Sequence, residues 1–313
     1  MSQELIKHGF AKRLSASELV LNIMDKIVNT SINDSVVLSK TIIEIYEELM
    51  RERPFSVAAL NLLKIVVSHV LEKGLDEVKS LVLNLREEYL GALTKSIETA
   101  SKRFENGDTL MVNTNCMSIR RLLGLLKSRG LKINVYVAES RPGLEGLSLA
   151  EYVESLGLKV FLIVDSAMRF FMKNVDKVVI GAEAVLPDGS IVGKVGTSVL
   201  AFIAKEFNKE VISITPTHKF YYELMERERP KIPEKGWEVL MTSDIRSTLP
   251  PSYSALVPVY DITPPHYIDY LATEHGLISP YMVQIYMKDQ YVRFAKTPLL
   301  RDLVTEVKKR YST

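Results

Sequence analysis

The first hundred residues space their apolar side chains three and four positions apart. LSASELVLNIMDKIVN (14–29), SVVLSKTIIEIYEELMRE (35–52) and FSVAALNLLKIVVSHVLEK (55–73) each carry the stripe of an amphipathic helix. Arg53-Pro54 stops the second of these, because a residue that precedes proline disfavours helical backbone. Gly74 ends the third as a C-cap. A further helix is predicted over about 75–105, closed by Asn106-Gly107-Asp108.

The grammar changes at Asp108. Short β-branched runs now alternate with helical patterns. The runs are TLMVN (109–113), KINVYVA (132–138), KVFLIV (159–164), KVVIG (177–181) and EVISIT (210–215). Nearly continuous apolar strands between helices imply a parallel sheet covered on both faces. The expected fold class is therefore α/β: a helical N-terminal domain over 1–105, then a Rossmann-like, doubly wound parallel sheet domain over 106–313. Two domains also suit 313 residues at roughly 150 residues each.

Composition narrows the function classes. Forty basic against 38 acidic residues leave a net charge of +2, too even for a general nucleic-acid binder. A single cysteine, Cys116, excludes an intrachain disulfide and any multi-cysteine metal site. Five scattered histidines without an HxxxH or HxH pair argue against zinc. No metal or cofactor is expected. The N-terminal MSQELIKHGFAKRLSASELV lacks a signal-peptide apolar core, and VFLIV (160–164) is too short to span a bilayer. A reducing, cytoplasmic setting is the expectation.

Ligands of open α/β sheets bind at the carboxyl ends of the strands. The residues there are Thr114, Asn115, Cys116 and Ser118; Glu139, Ser140, Arg141 and Pro142; Asp165 and Ser166; Gly181, Ala182 and Glu183; and Thr215 through Lys219. Taken singly, Asp165 or Ser118 is readily a helix cap. Taken together, a thiol, three carboxylates, a guanidinium and an ammonium on one rim read as a ligand crevice. DGSIVGKVGTS (188–198) sets Gly193, Lys194, Gly196, Thr197 and Ser198 at a predicted helix start, where free amides and the helix dipole favour a phosphate. Neither a GxxxxGK[ST] loop nor a GxGxxG after the first strand is present, so a dinucleotide site is not supported.

ESRPGLEG (139–146), IGAEAVLPDGSIVGKVGT (180–197) and YDITPPHYIDYLATEHGLISP (260–280) resemble the superfamily of the alpha, beta and delta regulatory subunits of eukaryotic translation initiation factor 2B. That superfamily also holds archaeal homologues and two sugar-phosphate isomerases, acting on 5-methylthioribose 1-phosphate and ribose 1,5-bisphosphate. RPFSV (53–57) is similar to an isomerase motif, and KHGFA (7–11) more faintly to another. The resemblance implies a helical domain before a Rossmann-like one, and assembly into dimers or hexamers. It also implies that Cys116, in Thr114-Asn115-Cys116-Met117-Ser118, stands where the ribose-1,5-bisphosphate isomerases have a catalytic cysteine. Glu183, in Gly181-Ala182-Glu183, stands in place of their catalytic aspartate. Gly193-Lys194 keeps their lysine and loses an asparagine. Arg53, Arg141 and Lys194, with Ser118 and Gly193 beside them, are the implied holders of a phosphorylated ligand.

These departures matter physically. A longer carboxylate shifts the reactive oxygen, and a misplacement on the order of 1 Å costs roughly a hundredfold in rate. Gly193 supplies none of an amide side chain's hydrogen bonds. The expectation is an archaeal-type initiation factor 2B regulatory-subunit-like protein, with a sugar-phosphate or nucleotide crevice and the alpha subunit of translation initiation factor 2 as partner. The alternative is a ribose-1,5-bisphosphate isomerase that uses Cys116 and Glu183. MERERPKIPEK (225–235) reads as a solvated excursion over the rim.

Overall fold

The computed structural model describes residues 15–30, 35–75, 77–224, 232–241, 243–288 and 298–311. KHGFA and residues 225–231 lie outside the described residues.

Helices α1 (Ala16–Asn29), α2 (Ser35–Glu52) and α3 (Val57–Lys73) bury their apolar stripes against one another. Ser15 caps α1 through a reciprocal bond pair with Glu18, and Gly74 closes α3 with φ +83°. α4 (Val78–Ser101) has 24 residues, about 36 Å of helix. Val78, Val82 and Tyr89 join the helical core, whereas Leu93, Ile97 and Ala100 join the core on one face of the sheet. One long helix thus belongs to both. The helical core is completed from the other end of the chain: Leu300, Leu303, Val304 and Val307 of a C-terminal helix, Leu300–Tyr311, are buried in it.

The main sheet has seven strands: β1 (Thr109–Val112), β2 (Asn134–Ala138), β3 (Lys159–Ile163), β4 (Lys177–Ile180), β7 (Glu210–Ile214), β11 (Tyr270–Thr273) and β12 (Gly276–Ile278). Their order is β12-β11-β7-β4-β1-β2-β3, and neighbours are parallel except for the antiparallel edge strand β12. Strand side chains alternate between two cores: Val135 and Val137 face one, Tyr136 and Ala138 the other. Between the strands run α5 (Met117–Ser128), α6 (Glu145–Ser155) and α7 (Thr197–Glu206). SAMRFFMKN forms only short helical turns. The Rossmann-like α/β class read from the alternation is the class observed.

A second, three-stranded sheet joins β5 (Ala184–Val185), β6 (Ile191–Lys194) and β10 (Tyr260–Thr263). The short pair β8 (Glu234–Lys235) and β9 (Val257–Pro258) lies apart from it. Here the structure corrects the sequence expectation. Gly193 and Lys194 lie in β6, not at a helix start, and α7 begins only at Thr197. The early amides of α7 are also taken: Gly196 N–H and Ser198 N–H donate to Asp261 at 2.8 and 3.0 Å. A carboxylate from β10 thus takes two of the amides that a phosphate at this helix start would use.

Candidate active site

Strand order fixes where ligand chemistry gathers. From β1 the chain winds outward through β2 and β3, then returns to the other side through β4 and β7. The crossovers diverge between β1 and β4, the switch point at which open α/β sheets form a crevice. Cys116 follows β1, Glu183 follows β4 and Lys219 follows β7, so three adjacent strands deliver a thiol, a carboxylate and an ammonium to one place. Gly193 and Lys194 enter from β6, Glu145 from the first turn of α6, and Ser15 to Ser17 from α1. The enclosed volume is about 20 Å³.

Each group is held by its local fold. Cys116 is the N-cap residue of α5 and is half-buried. Gly181 approaches it closely: a Cβ there would stand 3.2 Å from Sγ and 3.1 Å from Thr114 Cγ2. Burial pushes the thiol above its ordinary range, against the pull of Lys219 and of the Ile119 and Ser118 amides. Glu183 is buried, and burial alone would raise its carboxyl. Arg53, Lys194 and Lys219 together outweigh burial and leave it below the usual carboxylate range. Arg53 lies just past the end of α2, and its Nη2 donates to both Glu183 oxygens at 3.1 and 3.2 Å. Phe55, two residues on, packs edge-on against Tyr260 and anchors this segment. Lys219 is 1% exposed, and its Nζ donates to Ala182 O at 2.8 Å. Burial lowers this lysine, with Cys116 and Glu183 opposing. At neutral pH the crevice thus pairs a proton-bearing thiol with an ionised carboxylate, the split that acid–base work requires.

Cys116, Glu183, Gly193 and Lys194 line this crevice, and Arg53 reaches it through Glu183. Ser118 is buried behind the thiol, with no hydrogen-bond partner for its Oγ, and does not line the crevice. Arg141 stands to one side, beyond β2. Its Nη2 donates to Leu240 O at 2.7 Å, and it lines an adjoining chamber with Ser140 and Pro142. Asp165 accepts the Ser140 and Arg141 amides at 2.9 and 2.7 Å, which ties down that loop. Gly193 is more than a missing amide: a Cβ there would sit 2.9–3.0 Å from Thr197 side-chain atoms.

Two crevice residues were not singled out from sequence. Lys219 was one polar residue among several after a strand, and only its apolar neighbour Phe220 hinted at burial. Glu145 reads locally as a first-turn acidic residue on a helix surface. In the structure it pairs with Lys194 at 3.1 Å.

A larger cavity of about 260 Å³ lies next door, between the helices and the sheet rim. Ala58, Leu62, Ile65 and Ala92 line it, with Thr217 and His218. His218 stacks on Tyr89 at 4.0 Å, and burial with the adjacent Lys219 holds it neutral, well below its ordinary value. Among the described residues no group of three or more His, Cys, Asp or Glu side chains is placed to hold a metal, and no helix is long and apolar enough to cross a membrane.

A switch-point crevice holding a thiol, a carboxylate and a set of cations, beneath a helical cover, is the arrangement to set against known proteins. The model of the initiation factor 2 subunit family matches residues 11–280, and the chain belongs to that family. It is 30% identical over 263 residues to the ribose 1,5-bisphosphate isomerase of Pyrococcus furiosus, covering 81% of each chain. It is 29% identical over 254 residues to a putative methylthioribose-1-phosphate isomerase of Pyrococcus abyssi, covering 75% of this chain and 70% of that one. Among solved structures, the Pyrococcus horikoshii translation initiation factor eIF-2B superposes with a TM-score of 0.72 at 21% identity, over 89% of this chain and 96% of that one. At that identity the likeness shows the fold alone.

Proposed function

We propose that the crevice binds a pentose 1-phosphate and that the chain is an aldose–ketose isomerase, using Cys116 as acid and Glu183 as base. The observation that supports this most is the meeting of Sγ, the Glu183 carboxylate and the Lys219 ammonium at one switch point. A sugar 1-phosphate is also the chemistry shared by the names of the two isomerase relatives.

The step balances. The thiol gives its proton to the ring oxygen as the bond from C1 to that oxygen opens. Hydrogen passes with its electron pair from C2 to C1 while Glu183 takes the C2 hydroxyl proton, leaving a C2 ketone. Return of that proton from Glu183 to the thiolate restores both groups, so no oxidant or reductant is consumed. Lys219 lies beside both groups and stabilises the thiolate as it forms. Lys194 and Arg53 hold the phosphate. The test is a direct assay of purified protein with ribose 1,5-bisphosphate and with ribose 1-phosphate, following ketose formation. Turnover of either supports the reading; absence of turnover with both, beside an active control, overturns it.

A second reading is a regulatory-subunit-like binding protein that acts on translation initiation factor 2. Two observations favour it: Arg53 and Lys194 already engage Glu183 and Glu145, and the volume of the crevice is small. Co-purification with the alpha subunit of that factor, without sugar-phosphate turnover, would replace the first reading with this one. Self-association is part of either proposal. Phe170, in the short helical turns after β3, and Val199 and Phe202, on α7, are large exposed apolar residues, 67%, 52% and 50% exposed. Mass measurement in solution tests it.

A further inference from the structure

The wide cavity beside the crevice takes no part in the proposed reaction, yet its walls have a chemistry of their own. Two helices supply a stripe each. Ala58, Asn61, Leu62 and Ile65 recur along α3 at the spacing of one helix face, and Leu85, Glu88, Tyr89 and Ala92 do the same along α4. The small side chains Ala58 and Ala92, one in each stripe, leave a volume of about 260 Å³. The segment after β7 adds Thr217, His218 and Tyr222, and Glu274 enters just past β11. A dry cavity of about 150 Å³ already takes benzene, so on the same scale this one takes about ten non-hydrogen atoms.

The polar groups of this wall want a donor with positive charge. Glu88 and Glu274 both line the cavity, and among the described residues no lysine or arginine does. Glu88 is exposed to solvent, but the Glu274 side chain is only 14% exposed. Thr217 donates to Glu274 through its N–H, at 3.0 and 3.3 Å, and through its hydroxyl. Neutral donors orient a carboxylate without cancelling its charge. Its ion contact, the half-exposed His275, stands 3.9 Å away and counts only when that imidazole is protonated. Asn61 gives its Nδ2 hydrogens to two backbone carbonyls, His218 O at 3.0 Å and Phe220 O at 2.9 Å, so its side chain has only an acceptor left to offer. His218 Nε2 is buried and has no hydrogen-bond partner. We infer that this cavity is a binding site for a small organic ammonium ion with an apolar body, about ten non-hydrogen atoms in all. The ammonium group donates to Glu274, with His218 Nε2 and Asn61 Oδ1 as further acceptors in the same wall. The hydrocarbon part packs against Leu62, Ile65 and Leu85, and the rings of Tyr89 and Tyr222 favour a cation. The two carboxylates turn anions away. This site stands apart from the reaction proposed above and does not depend on it.

The test is calorimetric titration of the purified protein with three probes of matched shape: 2-phenylethylamine, 2-phenylethanol and phenylacetate. The amine, charged at neutral pH, should bind about tenfold or more tightly than the alcohol, the margin expected of a hydrogen bond to a buried charge. Phenylacetate should not bind. Glu274→Gln, first checked for a cooperative thermal transition, should weaken the amine about tenfold and leave the alcohol unchanged. Glu88→Gln alters only an exposed charge, so it serves even if the first variant does not fold; it should weaken the amine by about twofold to fivefold. Ala92→Leu fills the cavity without changing any charge and should abolish binding of the amine. Equal affinity for amine and alcohol makes the cavity merely apolar and overturns the proposal. Amine binding that is absent from the wild type, undiminished in Ala92→Leu, or unmoved by the carboxylate variants overturns it as well.

Discussion

The loop after β7 serves two cavities that differ in size and in charge. Lys219 points into the crevice of about 20 Å³, which it shares with Cys116, Glu183, Glu145 and Lys194. Thr217 and His218 face the space of about 260 Å³, whose walls mix aliphatic side chains with Tyr89, Tyr222, Glu88 and Glu274 and, among the described residues, hold no lysine or arginine. Size alone would choose the second as the working site. Chemistry chooses the first, because proton transfer needs fixed charges close to the reacting bonds more than it needs room. His218 makes the same point: beside Lys219 and buried, it is held neutral and is no match for the charged set across the backbone.

Substitutions on the two sides of this loop should separate them. The largest effect falls on the thiol. Cys116→Ser should cut isomerase turnover by about 10²–10⁴-fold, since it removes the proposed acid; steady-state assays read this directly. A residual rate near wild type would move the chemistry elsewhere.

Next comes Arg53→Ala. It strands the buried Glu183 carboxylate, and denaturant titration at neutral pH should show a loss of about 3–5 kcal/mol. The pH dependence follows from the depressed carboxyl. Its native value lies below the unfolded one of about 4.3, so the stability it contributes is present above that pH and is lost as pH falls through the native value. In the variant a stranded Glu183 takes up its proton more readily, so the deficit against wild type should shrink in acid. A deficit that stays constant down to pH 3 would argue that the pair is not electrostatic in origin.

Gly193→Asn is a smaller change with an instructive sign. Read from sequence, it restores an amide. In the structure it drives a Cβ against Thr197, so thermal or chemical unfolding should reveal a cost of about 1–3 kcal/mol and turnover should not improve. The smallest effect is expected across the loop. Ala92→Leu adds apolar volume to the wider cavity and should stabilise by about 0.5–2 kcal/mol with turnover unchanged. A large loss of turnover would give that cavity a part in the reaction.

Much of this layout was legible from local pattern. Parallel strands buried on both faces leave continuous apolar runs, so β1, β2, β4 and β7 show in the sequence almost residue for residue, and the more exposed edge strand β3 carries a similar run. Cys116 showed too, because a polar residue just past such a run has few places to go except the crevice. What was hidden depends on distant partners. SIVGK looks like the approach to a helix, yet it is a strand because Ile191–Lys194 pairs with Tyr260–Thr263. Two amides of the expected helix start are taken for the same reason, since Asp261 arrives from that partner strand. Glu145 resembles any surface acid at a helix start until α6 is seen pressed against the end of β2. Local periodicity encodes which segments form; the pairing of remote segments decides which charges meet.

The C-terminal helix Leu300–Tyr311, buried against α2 and α3, has a consequence for biosynthesis. Segments emerging first from a ribosome ordinarily fold first. Here α2 and α3 await a packing partner until residues 300–311, more than 200 positions further along, have been made. Until then the faces of α2 and α3 that Leu303, Val304 and Val307 will cover stand open. The helical core, although α1, α2 and α3 precede the sheet in the chain, can close only after the strands of the sheet have been made.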